Sequence, residues 1–156
     1  MAKKPEVRRS IARNKKAYHS FEVMEELECG MVLQGTEVKS LRAGQASIVE
    51  AYARIIEGEL FLVGATIPEY KHGNVFNHKT TRDRKLLAHR HELERWHKKV
   101  KERGVTLIPL ELYFFESRVK ILVGLCRGKK LYDKRQSERD KDDRRNMERA
   151  MKSSRR

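Results

Sequence analysis

The stretch RGKKLYDKR, residues Arg127–Arg135, divides a part of the chain that can fold from a part that cannot build a core. Before it, residues 119–125 alternate between apolar and other side chains, a pattern typical of a strand with one apolar face. After Tyr132 there is no aromatic residue and no Val, Ile or Leu. Residues 133–156 carry ten Lys or Arg and six Asp or Glu, and such a segment buries too little surface to offset its ordering entropy.

The rest of the chain is long enough for one domain with a core of ordinary size. The 156 residues include 36 Lys or Arg against 22 Asp or Glu, which gives a formal net charge of +14. A domain does not need this excess to fold, and it favours association with phosphate polymers or acidic surfaces. The alternative is a solvated basic surface without a partner.

Targeting and redox signals favour a cytoplasmic protein. No run of 18 apolar residues is present, so no membrane span is expected. Residues 1–16 form a basic arm without the apolar centre of a secretory signal, although a mitochondrial presequence is an alternative. Cys29 and Cys126 are far apart and favour reduced, buried thiols, and no Cys or His spacing indicates a metal site or a cofactor.

The first half of the chain predicts a mobile arm followed by strands. Residues 18–27 predict a strand, Cys29-Gly30 interrupts it, and residues 31–33 resume extended structure as a second strand. Residues 34–44 fit either a strand or a helical turn that ends at Gly44. Residues 52–56 and 60–67 flank Glu57-Gly58-Glu59 and predict a hairpin.

The second half combines a loop, a helix and two strands. Residues 68–83 are rich in Pro, Gly, Asn and Thr and predict a long loop. Apolar residues at helical spacing predict a helix over residues 84–103 that ends at Gly104. Ile108, Leu110, Leu112 and Phe114 predict one face of a strand, which a turn near residues 116–117 joins to the strand at 119–125.

Together these elements predict a mainly β fold. Six antiparallel strands with a helix between the fourth and fifth favour a small closed barrel of the oligonucleotide-binding (OB) kind, with peripheral helices. An open α+β sheet fits the same pattern. The predicted organisation is an arm at 1–16, a barrel at 17–132 and a basic tail at 133–156.

No pattern of catalytic residues is visible. The chain lacks the Gly-x-Ser-x-Gly, phosphate-loop and His-Glu-x-x-His motifs, and its six histidines are not spaced as metal ligands. We therefore expect a protein that is not an enzyme.

Basic clusters give the stronger functional signal. They are Arg13, Lys15 and Lys16; Arg82, Arg84 and Lys85; and Arg127, Lys129 and Lys130. Each alone is most simply a solvated face, but a closed sheet could bring all three to one side, where they would hold phosphates. His19, Tyr18 or Tyr132 could stack on unpaired bases, and the start of the helix predicted near residue 84 could donate to phosphate.

Four strings carry a resemblance to a known family. They are NKKAYH at 14–19, GTEVKSLRAG at 35–44, RKLL at 84–87 and RGKKLYDKR at 127–135. In this order and spacing the whole chain resembles the small protein B family, the SsrA-binding proteins of bacterial trans-translation.

The resemblance implies a fold and a function. The fold is a six-stranded OB barrel with outer helices, and the tail at 133–156 is disordered when free and helical on the ribosome. The function is binding of the tRNA-like domain of transfer-messenger RNA (tmRNA, SsrA) and its delivery, with elongation factor Tu, to ribosomes stalled on messages without a stop codon. The body stands in for the missing anticodon arm, the tail lies in the empty mRNA channel, and a monomer is expected.

The resemblance and the basic clusters together give the candidate site residues. For RNA they are Asn14, Lys15, Lys16, His19, Glu28, Lys39, Arg42, Lys85, Leu87, Arg118, Lys120, Arg127, Lys129 and Lys130. For the ribosomal decoding centre they are Tyr132, Asp133, Lys134 and Arg135. Arg118 and Tyr132 depart from the family pattern, where some members have Lys and His. A ribosomal or rRNA-processing protein and an RNA-modifying enzyme or nuclease are the competing readings.

Overall fold

The computed structural model describes residues 8–73, 77–102, 104–129 and 131–154, without the side chains of residues 131–134, 136 and 137. Strands and helices alternate along the described chain. The elements are β1 Arg8–Arg13, α1 Lys15–Ser20, β2 Phe21–Met31, α2 Gly35–Arg42, β3 Tyr52–Ile56, β4 Glu59–Val63, β5 Arg84–Leu87, α3 Arg90–Val100, β6 Val105–Phe115, β7 Arg118–Gly128 and α4 Leu131–Ser154.

The seven strands form one antiparallel sheet that closes on itself. Their order is β1-β6-β3-β4-β5-β2-β7, and β6 also pairs with β7. Six strands therefore form a closed ring, and β1 is attached to β6 outside it. The predicted fold class, a mainly β closed antiparallel sheet with peripheral helices, is confirmed, and an open sheet is excluded by the β6–β7 pairing.

The strand count differs from the predicted six in three places. The strands predicted at 18–27 and 31–33 are the single strand β2, β5 lies inside the predicted helix, and β1 lies inside the segment expected to be a mobile arm. Arg8–Arg13 pairs with β6 through backbone hydrogen bonds, and Ile11 and Ala12 pack against the core. Because β1 is rich in arginine and is held mainly by backbone pairing, its sequence shows little of the apolar alternation from which strands are predicted.

The core has an inner and an outer part. The inner cluster fills the ring and includes Trp96 from α3, which is 0% exposed. A bulge in β6 between Pro109 and Glu111 turns Ile108 and Leu110 to the outer cluster, while Leu112 and Phe114 face the inner one. The prediction that these four residues share one face was therefore wrong, since a bulge shifts the alternation by one residue.

The predicted helix at 84–103 is split in the structure. Arg84–Leu87 forms β5, and α3 begins only at Arg90, after His89 as N-cap. Arg84 and Leu86 are buried, as expected for alternate residues of a strand with one face in the core. Because one of these two inward side chains is an arginine, the sequence does not show the apolar alternation that predicts a strand. A helix N-terminus at residue 84 is thereby excluded.

The structure also tests the predicted hairpin, the ambiguous segment at residues 34–44 and the start of the strand predicted from residue 18. The β3–β4 hairpin forms with Glu57 and Gly58 at φ 51° and 78°, as its tight turn requires. Residues Gly35–Arg42 are helix α2, which decides between the two alternatives, and Gly44 at φ 79° follows its end. The strand predicted from residue 18 begins at Phe21, because α1 occupies Lys15–Ser20.

The tail is a single helix, α4, rather than an irregular segment. Its side chains from residue 138 to residue 154 are exposed, and Glu138 reaches His19 of α1 at 3.4 Å. A helix with so little tertiary packing depends on its weak intrinsic propensity, so disorder of the free tail in solution stays a prediction. Among the described helices, none is apolar over a length that would cross a membrane.

Candidate nucleic-acid interface

A buried ionic cluster fixes α2 and β5 relative to each other. Glu37 of α2 receives hydrogen bonds from Arg84 of β5 and from Arg82, and both Glu37 and Arg84 are 0% exposed. Arg84 also donates to the carbonyls of Ala65 and Thr80, so its donors are shared among three segments. Because a buried charge is tolerated only when it is paired and hydrogen-bonded, these contacts fix α2 in one position.

This cluster removes two residues from the predicted basic surface. Arg82 and Arg84 were expected to attract phosphate together with Lys85, but their guanidinium groups serve Glu37. Burial raises the pKa of Glu37, but the Gln34 backbone N–H and the two arginines outweigh this and hold it below its ordinary value. Glu37 therefore stays charged and keeps the arginines engaged.

The outer face of the sheet carries a row of residues that crosses four strands. Tyr113 of β6 pairs with Lys120 of β7, Lys120 pairs with Gly30 of β2, and Gly30 pairs with Leu87 of β5. We call these four residues the strand row. A Cβ at Gly30 would lie 3.4 Å from the Leu87 Cβ, so the glycine leaves Leu87 room to lie over β2.

Two clefts meet at the strand row and share Gly30, Leu87 and Lys120. One also contains Glu28 and, at the start of α3, His89 and Glu92. The other also contains Arg118 and the apolar side chains Met31, Leu33, Val38 and Val119. The structure thus brings together four predicted site residues, which are Glu28, Leu87, Arg118 and Lys120. We call this surface the Leu87 face.

The Leu87 face combines cations with an exposed apolar side chain. Leu87 is 51% exposed, and no ion pair within the described residues engages Arg118 or Lys120. Lys85 shares the outer side of β5 with Leu87, but its Nζ is paired with Glu59 at 3.0 Å. Free cations beside an apolar contact can hold a phosphate while a base or ribose packs on the leucine.

Helix α2 extends this basic surface at the turn between β6 and β7. A further cleft is lined by Arg9, Arg42, Phe114, Glu116 and Ser117, and Ser117 also lines the cleft that holds Arg118. Arg9 donates to the Arg42 carbonyl at 2.8 Å. Lys39 also lies on α2, where its ammonium is 5.4 Å from the Tyr70 ring centroid.

A second basic surface lies on α1, and we call it the α1 face. Lys15, Lys16 and Tyr18 are exposed there, and His19 is partly exposed. The Lys129 ammonium donates to the Tyr18 carbonyl at 3.0 Å and joins the end of β7 to the helix. Members of two of the three predicted basic clusters therefore meet here, namely Lys15 and Lys16 of the first and Lys129 of the third. Lys130 lies outside the described residues.

Asn14 positions α1 and does not face solvent. It is 2% exposed, its side-chain oxygen accepts from the Ala17 N–H at 3.1 Å, and its Nδ2 donates to the Pro109 carbonyl at 3.0 Å. An Asn at this position caps the helix that presents Lys15. A direct RNA contact of Asn14 stays a prediction, and its observed contacts hold α1 in place.

The Leu87 face and the α1 face lie at opposite ends of one strand. Lys120, Leu122, Gly124 and Cys126 alternate outward along β7, and α1 packs over the Cys126 end through Ala17. Six residues of strand separate the two ends by about 20 Å. A nucleic acid laid along β7 could therefore contact both faces.

The remaining predicted residues lie apart or are only partly described. Arg127 pairs with Glu102 at 3.4 Å beyond α3, a partner that no sequence motif indicated. Arg135 is exposed on α4, whereas the side chains of Tyr132, Asp133 and Lys134 lie outside the described residues. Sequence reasoning missed Arg9, Gly30 and Tyr113, since each depends on strand pairings that no local motif encodes.

A closed antiparallel sheet with free cations and an exposed apolar side chain on its outer face is typical of the nucleic-acid-binding class of small β proteins. Comparison with known proteins narrows this class, because the model of the SmpB protein family matches residues 11–153. The chain belongs to the SmpB family.

Individual relatives agree over nearly the whole chain. An SsrA-binding protein of Kineococcus radiotolerans is 51% identical over 144 residues, covering 92% of each chain. One of Syntrophobacter fumaroxidans is 50% identical over 147 residues, covering 94% of this chain and 91% of its own. A solved structure described as tmRNA–SmpB at the centre of the bacterial ribosome matches with a TM-score of 0.62 and 44% identity, covering 82% of this chain and 87% of that one.

Proposed function

We propose that this protein binds transfer-messenger RNA through its tRNA-like domain and delivers it to stalled ribosomes, so that the nascent peptide is tagged and the ribosome released. The proposal rests on the observation that the Leu87 face and the α1 face lie at the two ends of the outer side of β7, about 20 Å apart. Membership of a family whose relatives are named SsrA-binding proteins supports tmRNA as the RNA.

The chemistry of the two faces fits a folded RNA better than a random polyanion. Lys15, Lys120 and Arg118 would hold phosphates by charge and hydrogen bonds. Leu87 offers an apolar contact, and Tyr18, which is 50% exposed, offers a ring for stacking. These groups recognise shape and unpaired bases, and none of them needs to catalyse a reaction.

The tail has a separate role in the proposal. Residues 133–156 would enter the empty mRNA channel, with Tyr132, Asp133, Lys134 and Arg135 near the decoding centre. The acidic and basic residues at Glu148 and Lys152 have the i, i+4 spacing that supports a helix once rRNA neutralises the remaining charge. The protein would act as a monomer in the cytoplasm, with elongation factor Tu in the delivery complex and without enzymatic activity.

A binding competition tests the RNA partner. The full chain is titrated with a transcript of the tRNA-like domain and with an unrelated folded RNA of equal length at physiological ionic strength. We expect clear preference for the tRNA-like domain and, if about six phosphates are neutralised, a plot of log K against log salt with a slope of about −5. Equal affinity for both RNAs would overturn the proposal.

A deletion tests whether RNA binding and peptide tagging depend on different parts of the chain. Removing residues 133–156 should leave binding to the tRNA-like domain largely intact and abolish peptide tagging in a reconstituted translation reaction on a message without a stop codon. Sequencing of RNA recovered with the full chain from a bacterial extract distinguishes the alternative of an rRNA-processing protein, which would enrich ribosomal RNA precursors.

A further inference from the structure

Glu28 and Glu92 are both acids that line a cleft of the Leu87 face, and Glu28 is the one predicted to contact RNA. It lines the same cleft as Lys120 and Leu87, and its side chain is exposed. A free carboxylate at this place would repel the RNA backbone by like charge. The structure holds it in one orientation through residues that no sequence motif indicated.

The partner that orients Glu28 is a buried phenol. Tyr113 reaches across from β6, is 0% exposed, and donates its hydroxyl hydrogen to the Glu28 carboxylate. Burial and the hydrogen bond to Glu28 raise the pKa of the Tyr113 phenol above its ordinary range. The phenol therefore keeps the proton that it donates throughout the physiological pH range.

Tyr113 is itself held from the other side by Arg8 of β1. The Arg8 guanidinium carbon lies 3.8 Å from the centroid of the Tyr113 ring, and Arg8 pairs with Glu111 at 2.6 Å. Arg8 thus closes the outer side of the ring, while β1 is anchored on β6 by the register Arg8 to Phe115. The chain of contacts runs Glu111, Arg8, Tyr113, Glu28.

We propose that Tyr113 is a positioning and specificity-determining residue, which aims the Glu28 carboxylate at a hydrogen-bond donor of the RNA, and that Arg8 locks Tyr113 in place. One carboxylate oxygen accepts from Tyr113, which leaves the other free to accept an N–H of a base or a ribose 2′-hydroxyl. A phosphate has no hydrogen to donate at neutral pH, so the oriented acid favours base or sugar over backbone at this position. This inference rests on the proposed binding of the tRNA-like domain.

The test measures affinity for a transcript of the tRNA-like domain with four full-length variants. Tyr113→Phe removes only the hydroxyl, Glu28→Gln removes the charge, and a double variant combines them. Tyr52→Phe is the matched control, because Tyr52 is an exposed phenol on β3, outside both faces. Thermal unfolding of each variant reports the fold independently.

We expect Tyr113→Phe and Glu28→Gln each to weaken binding about tenfold, as for loss of one charge-assisted hydrogen bond. The double variant should lose no more than Glu28→Gln, because Tyr113 acts through Glu28. The salt slope should not change, since no phosphate contact is lost. Tyr52→Phe should bind like the wild type.

Other outcomes would overturn the inference. Wild-type affinity of Tyr113→Phe, tighter binding of Glu28→Gln, or losses that multiply in the double variant would each show that Tyr113 does not act through Glu28. If Tyr113→Phe melts early, Arg8→Gln takes its place, and its binding must then fall while its unfolding temperature does not. A wild type without preference for the tRNA-like domain contradicts the proposed function itself.

A series of transcripts with single 2′-deoxy substitutions separates the two kinds of donor. If the donor is a ribose hydroxyl, the loss caused by Glu28→Gln disappears on one of these transcripts. If the donor is a base N–H, the loss persists on all of them.

Discussion

The carboxylate of Glu37 and the guanidinium of Arg84 form an ion pair in which both side chains are 0% exposed. It joins α2, which carries Lys39 and Arg42, to β5, which carries Leu87. The pair therefore sets the position of two parts of the proposed RNA surface without touching RNA.

Glu37→Gln should destabilise the protein by about 3–5 kcal/mol, because it leaves the buried Arg84 charge without its counter-ion. The free energy of unfolding in urea measures the effect. Glu59→Gln is a suitable control, since Glu59 forms an exposed ion pair with Lys85, and exposed ion pairs contribute little to the free energy of unfolding. Equal stability of the Glu37→Gln variant and the wild type would mean that other contacts hold α2.

The same pair predicts a pH dependence of stability. The pKa of Glu37 in the folded protein lies below its ordinary value of 4.5, despite the opposing effect of burial. Its contribution is therefore complete above the pKa of the unfolded chain and is lost as the pH falls through the lower pKa of the folded state. The stability difference between wild type and Glu37→Gln should narrow below about pH 4.5, and a difference that stays constant into acid would contradict the assignment.

Gly124→Ala should destabilise the protein by about 1–3 kcal/mol through overpacking beneath α1. A Cβ at this position would lie 2.9 Å from Leu110 Cδ1 and 3.0 Å from Cys126 Sγ, both in the outer cluster under the α1 face. Chemical denaturation measures the change. Gly128→Ala on the same strand is the control, because its Cβ would have no heavy atom within 4 Å. Comparable losses for both variants would show that overpacking at residue 124 is not the cause.

Leu87→Ala and Lys120→Gln should weaken RNA binding in different ways, although both residues flank Gly30. Loss of Leu87 removes an apolar contact, so affinity for the tRNA-like domain should fall while the salt slope stays the same. Loss of the Lys120 charge should reduce the magnitude of the slope by about 1 if the lysine contacts a phosphate.

Filter-binding titrations at several salt concentrations measure both quantities. Lys101→Gln on the far end of α3 serves as the charge control, since Lys101 is exposed and lies outside both faces. An equal change of slope for Lys101→Gln and Lys120→Gln would show that Lys120 acts only through net charge.

The mainly β class, the basic character and the hairpin at residues 52–63 could be predicted from the amino-acid sequence alone, whereas a separate tail domain stays a prediction. The sequence also carried the four strings that indicated the family, which the family model then confirmed. These features depend on composition, short-range alternation and local turn chemistry, all of which are present in neighbouring residues.

The availability of each basic residue to a partner depends on contacts that form only in the folded chain. Arg82 and Arg84 look like surface cations in the sequence, yet they neutralise Glu37, which lies more than 40 positions earlier. Tyr113, Lys120, Gly30 and Leu87 become one row only when β6, β7, β2 and β5 pair. Register across a closed sheet is set by side chains from distant segments packing together, and no local pattern contains that information.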